Sequence, residues 1–419
     1  NECDEWVKEM LSVIEDNLNA MYEFVDTRLK GISCIRAEGT YLAWMDMRVL
    51  GLSDSELTKL CDDADLVLDM GEIFGTNGSG FTRWNVALPK KDLIAGTIAC
   101  KQTASGLAPQ LGAKELLSYV RDRAENVESI ELFRMDSSNV QPEEWRAIAQ
   151  AVADNMHNAD GIVITHGTDT TAYTSSMLSF MLRGIKIPVV LTGAQYPMGM
   201  DGSDAAANLG DALTAARELP GGVYIAFGGS VILGCRAVKT RTMSLNAFES
   251  INRPLVGYFE DGRFIMADAP EKEAAHEDFF MDIEPRVALI KLIPGTMPAI
   301  IESLAGCGVK GVVVEAFGLG GVHNIRRDHA ESLHKLIKEN IPVILTSQCL
   351  YEASNPDIYE VSAPLRSAGV ISAKDMTTEA SVTKLMWALG RTDDLEEIRT
   401  VMAELTARED VDGMERKER

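Results

Sequence analysis

The stretch Gly161-Ile-Val-Ile-Thr-His-Gly-Thr-Asp-Thr-Thr171 decides the fold class of this chain. It begins with a short apolar run, which predicts a strand buried on both faces of a sheet. Polar residues follow that run at once, so a turn is expected at the carboxyl end of the strand. In open parallel sheets, ligands bind outside the carboxyl ends of the strands. The stretch therefore predicts a parallel α/β sheet and also the place of its functional site.

Apolar runs alternate with helical patterns on both sides of this stretch, which is typical of βαβ units in a parallel sheet covered on both faces. Each run reads as buried on both sides and is short enough to be a single strand. The predicted strands are Leu93–Ala95, Ser129–Leu132, Gly161–Ile164, Pro188–Leu191, Val223–Ala226, Val287–Leu292, Val312–Val314 and Pro342–Leu345.

The alternation is interrupted once in the second half of the chain. Residues 266–284 form a charged stretch rich in Ala and Glu, which we interpret as a linker. It separates two predicted α/β domains, residues 92–265 and residues 285–392. Residues 393–419 alternate in charge and predict a solvated helix that frays.

The first 91 residues have a different pattern. Apolar residues recur at helical spacing from Glu5 to Lys30, which predicts one amphipathic helix. A strand is predicted at Tyr41–Met45, and Ser53 with Glu56 predicts a capping box at the start of a second helix. The Gly-rich turn Gly75–Gly80 lacks the Lys-Ser/Thr pair of a phosphate-binding loop. These features indicate a small α+β unit.

Composition and charge exclude several function classes. The chain has 40 basic and 63 acidic residues, a net charge of −23, so we expect no nucleic-acid partner. No apolar run approaches the roughly 18 residues that span a bilayer, so we expect no membrane integration. The 7 cysteines include no C-x-x-C pair, which favours reduced thiols. Since no secretory signal is apparent, we expect a cytoplasmic protein, and the initial Asn predicts a sequence that begins part-way through a gene.

Three polar clusters follow predicted strands. They are Ala95–Ala99 with Thr97 inside it, Ile164–Thr171, and Arg236–Thr242. Taken singly, each has a structural explanation. A Thr after a strand is usually a turn or cap residue, and a Lys in a loop is usually a solvated charge. A lone His such as His166 is more often a hydrogen-bonded structural residue, and the 6 His of the chain assemble no metal site around it.

Together these clusters resemble the bacterial-type asparaginase/glutaminase family. The family's first motif, T-G-G-T-I-A, corresponds to I-A-G-T-I-A at 94–99, and its second, H-G-T-D-T, lies within T-H-G-T-D-T-T-A-Y-T-S at 165–175. The resemblance extends over residues 93–390 and implies two asparaginase α/β domains with parallel sheets. Further matching motifs are L-T-G-A-Q at 191–195, G-S-D-A-A-A-N-L at 202–209, V-K-T-R-T at 238–242, T-S-Q-C at 346–349 and D-M-T-T-E-A at 375–380.

The resemblance implies an L-asparaginase of the cytoplasmic type, which hydrolyses L-asparagine to L-aspartate and ammonia without a cofactor or metal. A Thr hydroxyl is a poor nucleophile without a nearby base, and the tetrahedral intermediate needs preorganised donors. By resemblance the nucleophile is Thr97. The family's proton-relay set corresponds to Thr168, Asp169 and Lys239.

The resemblance also implies a substrate-binding set. The stretch Met135–Asn139 matches the position of the family serine that holds the substrate's α-carboxylate, and Asp169 corresponds to the partner of its α-ammonium group. From the residues alone, Asp136–Asn139 is also explained as a cap for a helix over Pro142–Asp154, and both roles can hold together. The residues that we assign to substrate binding are Ser137, Ser138, Asp169, Gly167 and Ala194.

The sequence departs from the family pattern around the predicted nucleophile. Ala95-Gly96 stands where the family has Gly-Gly, and the preceding strand is shortened. A displacement of Thr97 by about 1 Å lowers the rate on the order of a hundredfold. The family often carries a lid tyrosine shortly after the nucleophile, and Ser105–Pro109 offers Leu107 instead. A lid at this position therefore lacks the tyrosine hydroxyl.

Residues 1–91 resemble a second family, the C-terminal small domain of fold-type I aminotransferases, especially the cystathionine β-lyase-like branch. The motifs are E-G-T-Y-L-A-W-M-D-M-R at 38–48, G-E-I-F-G at 71–75 and G-F-T-R-W-N at 80–85, in which Arg83 matches a carboxylate-binding arginine. Pyridoxal phosphate needs a Schiff-base lysine in that family's large domain, which this sequence lacks. We therefore expect a fusion without pyridoxal phosphate, joined within Leu88–Leu93, in which Arg83 is vestigial.

Two alternatives to a complete asparaginase are left open. One is the asparaginase-like subunit that supplies ammonia to a tRNA-dependent amidotransferase, although that subunit begins with a barrel of short strands rather than a helix like Glu5–Lys30. The other is a catalytically impaired fusion that acts only as a folded module. A complete pyridoxal enzyme would require upstream sequence. The resemblance implies a homodimer or homotetramer, with L-asparagine as the small-molecule partner.

Overall fold

The structure of the chain is a computed structural model, in which two compact units span residues 1–95 and 96–419. The predicted strand Leu93–Ala95 and the nucleophile Thr97 lie outside the described residues, and for residues 106–109 only the backbone is described. The described residues are 11, 14–15, 18–19, 21–22, 25–26, 31–37, 42–63, 69–71, 75, 78–85, 100–103, 106–109, 113–121, 123–124, 126–133, 135–200, 202–270, 279–355 and 363–404.

The first unit contains a four-stranded antiparallel sheet in the order β1-β2-β4-β3. The described residues between 11 and 26 are helical, and their apolar side chains pack with Ala43 and Met45 of the sheet. This combination is an α+β arrangement. The strands are β1 (Ser33–Ile35), β2 (Leu42–Asp46), β3 (Asp69–Met70) and β4 (Phe81–Asn85).

Helix α1 (Asp54–Asp63) begins at the predicted capping box. The Ser53 backbone nitrogen donates to Glu56 Oε2 at 2.9 Å, and Glu56 N donates to Ser53 Oγ at 3.4 Å. The hydrogen bond from Ser53 lowers the pKa of the Glu56 carboxyl. Two backbone donors are thereby satisfied where the first turn lacks helical acceptors, and the prediction of this cap is confirmed.

The second unit opens with the hairpin of β5 (Cys100–Thr103) and β6 (Gly106–Pro109), which covers most of the stretch expected to form a lid. It then builds a six-stranded sheet in the order β14-β13-β10-β9-β8-β7. The strands of this sheet are β7 (Ile162–Thr165), β8 (Pro188–Thr192), β9 (Gly222–Phe227), β10 (Ser230–Leu233), β13 (Gly257–Glu260) and β14 (Arg263–Met266).

The predicted parallel arrangement holds for β7, β8 and β9, while β10, β13 and β14 continue the sheet in antiparallel fashion. Strands β13 and β14 join through Asp261 and Gly262, whose φ angles are 49° and 73°. An Asp-Gly pair with two positive φ angles is the turn that matches the twist of a tight hairpin. This hairpin was not predicted, and the last residue of β14, Met266, falls inside the predicted linker.

The prediction of a strand at Ser129–Leu132 is wrong. Residues 127–133 form no regular element, and Ile130, Leu132 and Phe133 are exposed. A strand is held by the backbone ladder of a neighbour, and none of the strands in the described part of the chain pairs with this segment. Its apolar residues Ile130 and Leu132 had suggested a strand without supplying that neighbour.

Helices cover the sheet of the second unit on both faces. The buried side chains of α4 pack in one core that also contains residues of the last long helix of the chain, whereas the alanines of α5 pack in a separate core with β9 and β10. Ten of the 11 residues of α4 are buried, so this helix has no solvent-facing polar side. The helices are α2 (Ala113–Ser118), α3 (Pro142–Asn155), α4 (Thr171–Met181) and α5 (Ala205–Glu218).

The C-terminal domain has a four-stranded parallel sheet in the order β15-β16-β17-β18. Its main apolar core lies between this sheet and α6 to α8, and α9 packs toward α4 of the preceding domain. The elements are β15 (Val287–Lys291), α6 (Pro298–Gly306), β16 (Gly311–Ala316), α7 (His329–Lys338), β17 (Val343–Ser347), α8 (Ala363–Ala368), β18 (Ile371–Ser372), α9 (Thr378–Arg391) and α10 (Leu395–Ala403).

The prediction of a solvated terminal helix is wrong for α10. Ile398 and Met402 of this helix are buried. Lys384 of α9 is itself buried and donates to the carbonyl oxygens of Met402 at 3.2 Å and Glu404 at 2.6 Å. The ammonium group of Lys384 thus satisfies carbonyls at the C-terminal end of α10, which lack helical donors. Ile398 and Met402 dock this helix on the core, with Val401 packed against the same core. Residues 405–419 lie outside the described part.

Glu379, in the first turn of α9, gives the fold a pH dependence. Burial raises the pKa of its carboxyl from an ordinary 4.5 to about 7, and the charge of Glu315 adds to that effect. Burial, together with the charges of Glu379 and Glu315, raises the pKa of Tyr173 to about 12, so this phenol stays protonated. The folded chain therefore binds the Glu379 proton more tightly than the unfolded chain does. Stability falls as pH rises from about 4.5 to about 7.

Replacing Glu379 by Gln is expected to remove this pH dependence, because the amide is neutral at every pH. Above about pH 7, the variant should gain up to about 3 kcal/mol relative to the parent. The measurement is the melting temperature at about pH 5 and about pH 8. The exposed Glu218→Gln variant is the matched control. The prediction would be contradicted if the melting temperatures of the parent and of Glu379→Gln fell by the same amount between the lower and the higher pH.

Candidate active site

The candidate site lies at the carboxyl ends of β7 and β8, as the sequence predicted. His166 N donates to Thr192 O at 2.8 Å, which continues the pairing of the two strands into their turns. A Cβ atom at Gly193 would lie 2.3 Å from His166 O. Glycine is therefore needed where the two turns meet, and the loops after β7 and β8 are held together at the level of the site.

The site brings together three of the predicted catalytic residues. Lys239 Nζ donates to Thr168 Oγ1 at 2.7 Å and to Asp169 Oδ1 at 2.6 Å. The side chain of Lys239 is 16% exposed and that of Asp169 is 59% exposed. A mostly buried ammonium group needs a charged partner and hydrogen-bond acceptors, and these two residues provide both. The open carboxylate of Asp169 remains accessible to a substrate.

Lys239 ends a short strand whose position depends on both domains. Strand β11 (Ala237–Lys239) pairs with β12 (Phe248–Ser250), with Lys239 opposite Phe248. Just before β11, the buried guanidinium of Arg236 donates from Nη1 to Asp375 Oδ2 at 3.0 Å and to Asp375 O at 3.2 Å. Since Asp375 belongs to the C-terminal domain, this ion pair fixes the approach of β11 to the site.

The residues after Lys239 are tied to the C-terminal domain as well. Thr240 Oγ1 donates to Glu249 Oε1 at 3.0 Å, and Arg241 Nη1 lies 2.7 Å from the same oxygen. Glu249 also accepts a hydrogen bond from the Tyr351 hydroxyl of the C-terminal domain. The hydrogen bonds from Tyr351 and Thr240 lower the pKa of the Glu249 carboxyl. The loop that follows Lys239 is therefore anchored through one carboxylate.

Ser137 approaches the site from a 3-10 turn, Ser137–Asn139. Its buried hydroxyl accepts a hydrogen bond from Asp169 N at 3.3 Å, and Thr170 Oγ1 donates to Ser137 O at 2.7 Å. The Ser137 hydroxyl can still donate its hydrogen to an anionic group. Ser138 is exposed on the same turn. The structure thus places Ser137 beside Asp169, with its neighbour Ser138 facing solvent.

The capping role expected for this segment belongs to other side chains. Asp136 Oδ1 accepts from Ser138 N at 2.8 Å and caps the 3-10 turn. Helix α3 is capped by Gln141, whose backbone nitrogen donates to Glu144 Oε2 at 2.7 Å in a capping box. The prediction that Asp136–Asn139 caps α3 is therefore wrong, since Asp136 caps only the 3-10 turn and Gln141 caps the helix.

Gly167 is expected to be intolerant of any side chain. A Cβ atom there would lie 2.6 Å from Ser137 Oγ and 2.8 Å from Ser137 Cβ. Gly167→Ala should push Ser137 away from Asp169 and raise the KM for the substrate by about tenfold or more. Steady-state kinetics measure the effect, and Gly295→Ala is the control because nothing lies within 4 Å of the added carbon there. An unchanged KM in Gly167→Ala would contradict this prediction.

His166 has a structural role in the site. The Trp145 indole donates to Thr174 Oγ1 at 3.0 Å, and that hydroxyl lies 3.0 Å from His166 Nε2. His166 Nδ1 lies 2.7 Å from Gly167 O. Because indole only donates and carbonyl only accepts, this chain fits a neutral ring with the proton on Nδ1. Burial lowers the pKa of His166, consistent with a neutral imidazole.

Ala194, assigned to substrate binding, lies in the loop after β8, and the sequence analysis missed its neighbour Gln195. Gln195 Oε1 accepts a hydrogen bond from Thr168 Oγ1 at 3.3 Å. Asp204, at the start of α5, holds this loop by accepting from Gln195 N at 3.1 Å and from Tyr196 N at 2.9 Å. Gln195 ends the matching motif L-T-G-A-Q, but hydrogen-bond partners this distant in sequence were not predictable from spacing.

Two further properties of the molecule bear on its chemistry. Within the described ranges, no three His, Cys, Asp or Glu side chains are arranged to hold a metal ion. None of the helices in the part of the chain that the structure describes is both long and apolar enough to cross a bilayer.

Comparison with known families gives two adjacent matches. Residues 93–272 match the family model described as Asparaginase, N-terminal, and residues 286–402 match the Glutaminase/Asparaginase C-terminal domain. The first match contains Thr168, Asp169 and Lys239. The second begins just after the segment expected to link two domains.

Individual relatives agree with these matches. An L-asparaginase of Thermococcus kodakarensis is 42% identical over 310 residues, which are 73% of this chain and 94% of the relative. The crystal structure of the thermostable L-asparaginase from that organism has a TM-score of 0.71 and 41% identity, covering 76% of this chain and 98% of its own. A subunit of the Glutamyl-tRNA(Gln) amidotransferase of Pyrococcus abyssi is 36% identical over 332 residues, 75% of each chain.

Proposed function

We propose that this chain, which belongs to the asparaginase family, hydrolyses the side-chain amide of L-asparagine to L-aspartate and ammonia. It is an amidohydrolase with the two-domain α/β fold of that family. The observation that carries the proposal is the position of the Lys239 ammonium, 2.7 Å from Thr168 Oγ1 and 2.6 Å from Asp169 Oδ1. Such a set can move a proton and balance the charge that develops during attack on an amide.

The substrate-binding proposal follows from charge and hydrogen bonding. The exposed Asp169 carboxylate is suited to the α-ammonium group of asparagine, and the Ser137 hydroxyl beside it is suited to the α-carboxylate. Gly167 lies in the loop after β7 and Ala194 in the loop after β8, and the substrate would lie between these two loops. Ser138 is exposed on the turn that carries Ser137, so we assign it a secondary contact.

The chemical step is proposed to use Thr97 as the nucleophile, by family resemblance. Its hydroxyl oxygen bonds to the side-chain carbonyl carbon and the carbon–nitrogen bond breaks. For this step Lys239 first passes one proton of its ammonium group to Asp169. The Thr97 proton then moves to Thr168 Oγ1 while the Thr168 hydroxyl proton moves to the neutral Lys239 amine, and the same pair returns one proton to the nitrogen, which leaves as ammonia. Water then cleaves the ester, releases L-aspartate and restores the Thr97 hydroxyl. Every atom in this scheme comes from the protein, asparagine and water, so no cofactor is needed.

The test is release of ammonia and L-aspartate by the purified full-length chain, in EDTA and without added pyridoxal phosphate. Equimolar products from L-asparagine are expected. N-acetyl-L-asparagine should react far more slowly, because its blocked nitrogen removes the charge that Asp169 would hold. No product from asparagine would sink the proposal, and equal rates for both compounds would remove the role given to Asp169. L-glutamine in the same assay measures the substrate preference.

A second candidate is an ammonia-supplying subunit of a tRNA-dependent amidotransferase. It is favoured by relatives such as the Pyrococcus abyssi protein, which is named as a subunit of a Glutamyl-tRNA(Gln) amidotransferase. A free-standing asparaginase releases ammonia from asparagine with no other protein present. An amidotransferase component would reach comparable rates only with its partner and charged tRNA. The rate of the isolated chain, compared with the rate after adding a recombinant partner, separates the two.

We propose that residues 1–91 derive from an aminotransferase small domain and take no part in the reaction. The antiparallel sheet with its packed helix supports this origin, and Arg83 lies on β4 of that sheet. Arg83→Ala should leave ammonia release unchanged, and the chain should show no absorbance change on titration with pyridoxal phosphate. A loss of hydrolysis in Arg83→Ala would contradict the proposal and link the first unit to the activity.

We infer that the chain forms a homodimer or homotetramer through its C-terminal domain. Leu289, Ile293, Met297 and Ile300 are all exposed along the edge strand β15, the loop after it and the first turn of α6. Such a concentration of apolar side chains on a surface marks an interaction site. The expected mass by light scattering is two or four times 45.7 kDa.

Changing Ile293 and Met297 together to Glu should dissociate the oligomer, because it places charges in the proposed contact. Val49→Glu, at an exposed apolar residue of the first unit, is the control and should keep the parental mass. A parent of monomer mass, or a double variant that stays assembled, would refute this interface.

We also propose a cytoplasmic location, which the scattered cysteines support and which cell fractionation tests.

A further inference from the structure

The side-chain amide of Gln195 bridges the relay and an exposed loop. Its Oε1 lies 3.3 Å from Thr168 Oγ1, and its Nε2 donates to Ser244 O at 3.1 Å. Ser244 lies in the loop that follows Lys239, next to Met243, whose side chain is exposed. Gln195 therefore contacts both the predicted relay and the segment that leaves it.

Hydrogen-bond chemistry fixes the direction of each of these contacts. A backbone carbonyl only accepts, so the amide NH₂ of Gln195 must face Ser244 and its carbonyl must face Thr168. An ammonium group only donates, so Thr168 Oγ1 accepts from Lys239. The single hydrogen of the Thr168 hydroxyl then goes to Gln195 Oε1. One lone pair of Thr168 Oγ1 remains for a third group.

We propose that Gln195 is a positioning residue that holds the Thr168 hydroxyl hydrogen away from the substrate. This leaves the second lone pair of Thr168 to accept a hydrogen bond from the hydroxyl that attacks the amide. The inference rests on the proposed amide hydrolysis and adds a residue to it. Gln195 itself touches neither the substrate nor the reacting atoms, and it acts only through Thr168.

The backbone around Gln195 is held firmly enough for this task. Both oxygens of Asp204 accept from Gln195 N at 3.1 Å, and Asn208 Nδ2 donates to Asp204 Oδ2 at 2.9 Å. Asn208 Nδ2 also donates to Gly193 O at 3.0 Å, and both Asp204 and Asn208 are buried. The backbone that carries the Gln195 side chain to Thr168 is therefore fixed independently of the bond to Ser244 O.

A purely structural explanation is that Gln195 only latches the Ser244 loop in place. Two variants of similar length separate this explanation from the proposal. Gln195→Met removes both the acceptor for Thr168 and the donor to Ser244. Gln195→Glu keeps an oxygen acceptor facing Thr168 but replaces the donor, so the latch is lost and the positioning contact stays.

The experiment measures kcat and KM for asparagine in the full-length parent and these variants. Gln195→Met is expected to lower kcat by about 10- to 100-fold with little change in KM. Gln195→Glu should keep kcat within about fivefold of the parent, because its acceptor still orients Thr168. The exposed Met243→Ala variant is the control for the loop and should match the parent.

Equal losses in Gln195→Met and Gln195→Glu would overturn the proposal in favour of the latch. A loss confined to KM would also overturn it, since that pattern indicates contact with the bound substrate. Full activity of Gln195→Met in an active parent would refute the inference while leaving the proposed hydrolysis intact. A parent that releases no ammonia would instead refute the proposed function, and the inference with it.

Discussion

Lys239→Met is expected to reduce kcat for asparagine hydrolysis by about 10²- to 10⁴-fold, the range attributed to a positioned proton-transfer group. Methionine has similar length but no charge or donor. The change would remove the hydrogen bonds at 2.7 Å to Thr168 and 2.6 Å to Asp169 together. The fold should survive, because an ion pair whose carboxylate is 59% exposed contributes little to stability.

The control for this change is Lys338→Met, at an exposed lysine in the last turn of α7. It should keep the parental kcat and melting temperature. Asp169→Asn provides a second comparison, since it leaves Lys239 without its counter-charge while preserving shape. A Lys239→Met variant that retains more than about a tenth of the parental kcat would contradict a role in proton transfer.

Thr97→Val is expected to lower kcat by about 10⁴- to 10⁶-fold, because loss of a nucleophile removes the covalent route entirely. Valine has the same branching as threonine and lacks only the hydroxyl. Thr97→Ser restores a hydroxyl on a freer side chain and should recover most of the lost rate. The measurement is kcat from steady-state ammonia release for the parent, Thr97→Val and Thr97→Ser under the same conditions.

Activity of Thr97→Val within about tenfold of the parent would show that the nucleophile lies elsewhere, with Thr168 the next candidate. Parental activity that is low but abolished by Thr97→Val has a different meaning. It would show that Thr97 is used although Ala95-Gly96 replaces the family's Gly-Gly pair. The size of the parental rate therefore reports how well the altered first motif places its hydroxyl.

The sequence predicted those parts of the fold that depend on local pattern. Strands β8 and β16 were located because parallel strands buried on both faces appear as continuous apolar runs. Strand β7 was located from its apolar run as well, but the prediction that it is buried on both faces is wrong, because it lies at the edge of the sheet that the structure describes and its apolar residues are only partly buried. The hairpin through Asp261 and Gly262 was missed, although its turn residues are a local signal. The strand expected at Ser129–Leu132 failed for a non-local reason, since composition does not supply the neighbouring strand with which it must pair.

The candidate site was predictable to the extent that family motifs encode it. Lys239 contacts Thr168 across 71 positions of sequence, and no periodicity relates them, so only the matching motifs brought them together. Gln195 and Asp204 lie within motifs that match the family, yet their hydrogen bonds are visible only in the folded loops. The buried face of α10 was not predicted, because it contains only two fully buried apolar residues, Ile398 and Met402, among alternating charges.

The most direct test of the central claim is kcat for ammonia release from L-asparagine in four proteins: the parent, Thr168→Val, Lys239→Met and the double variant. Residues that act as one unit are strongly non-additive. The double variant should therefore be no slower than the slower single variant, within about threefold. Losses that multiply, or a parent that releases no ammonia, would contradict a Thr168–Lys239 relay as the basis of this activity.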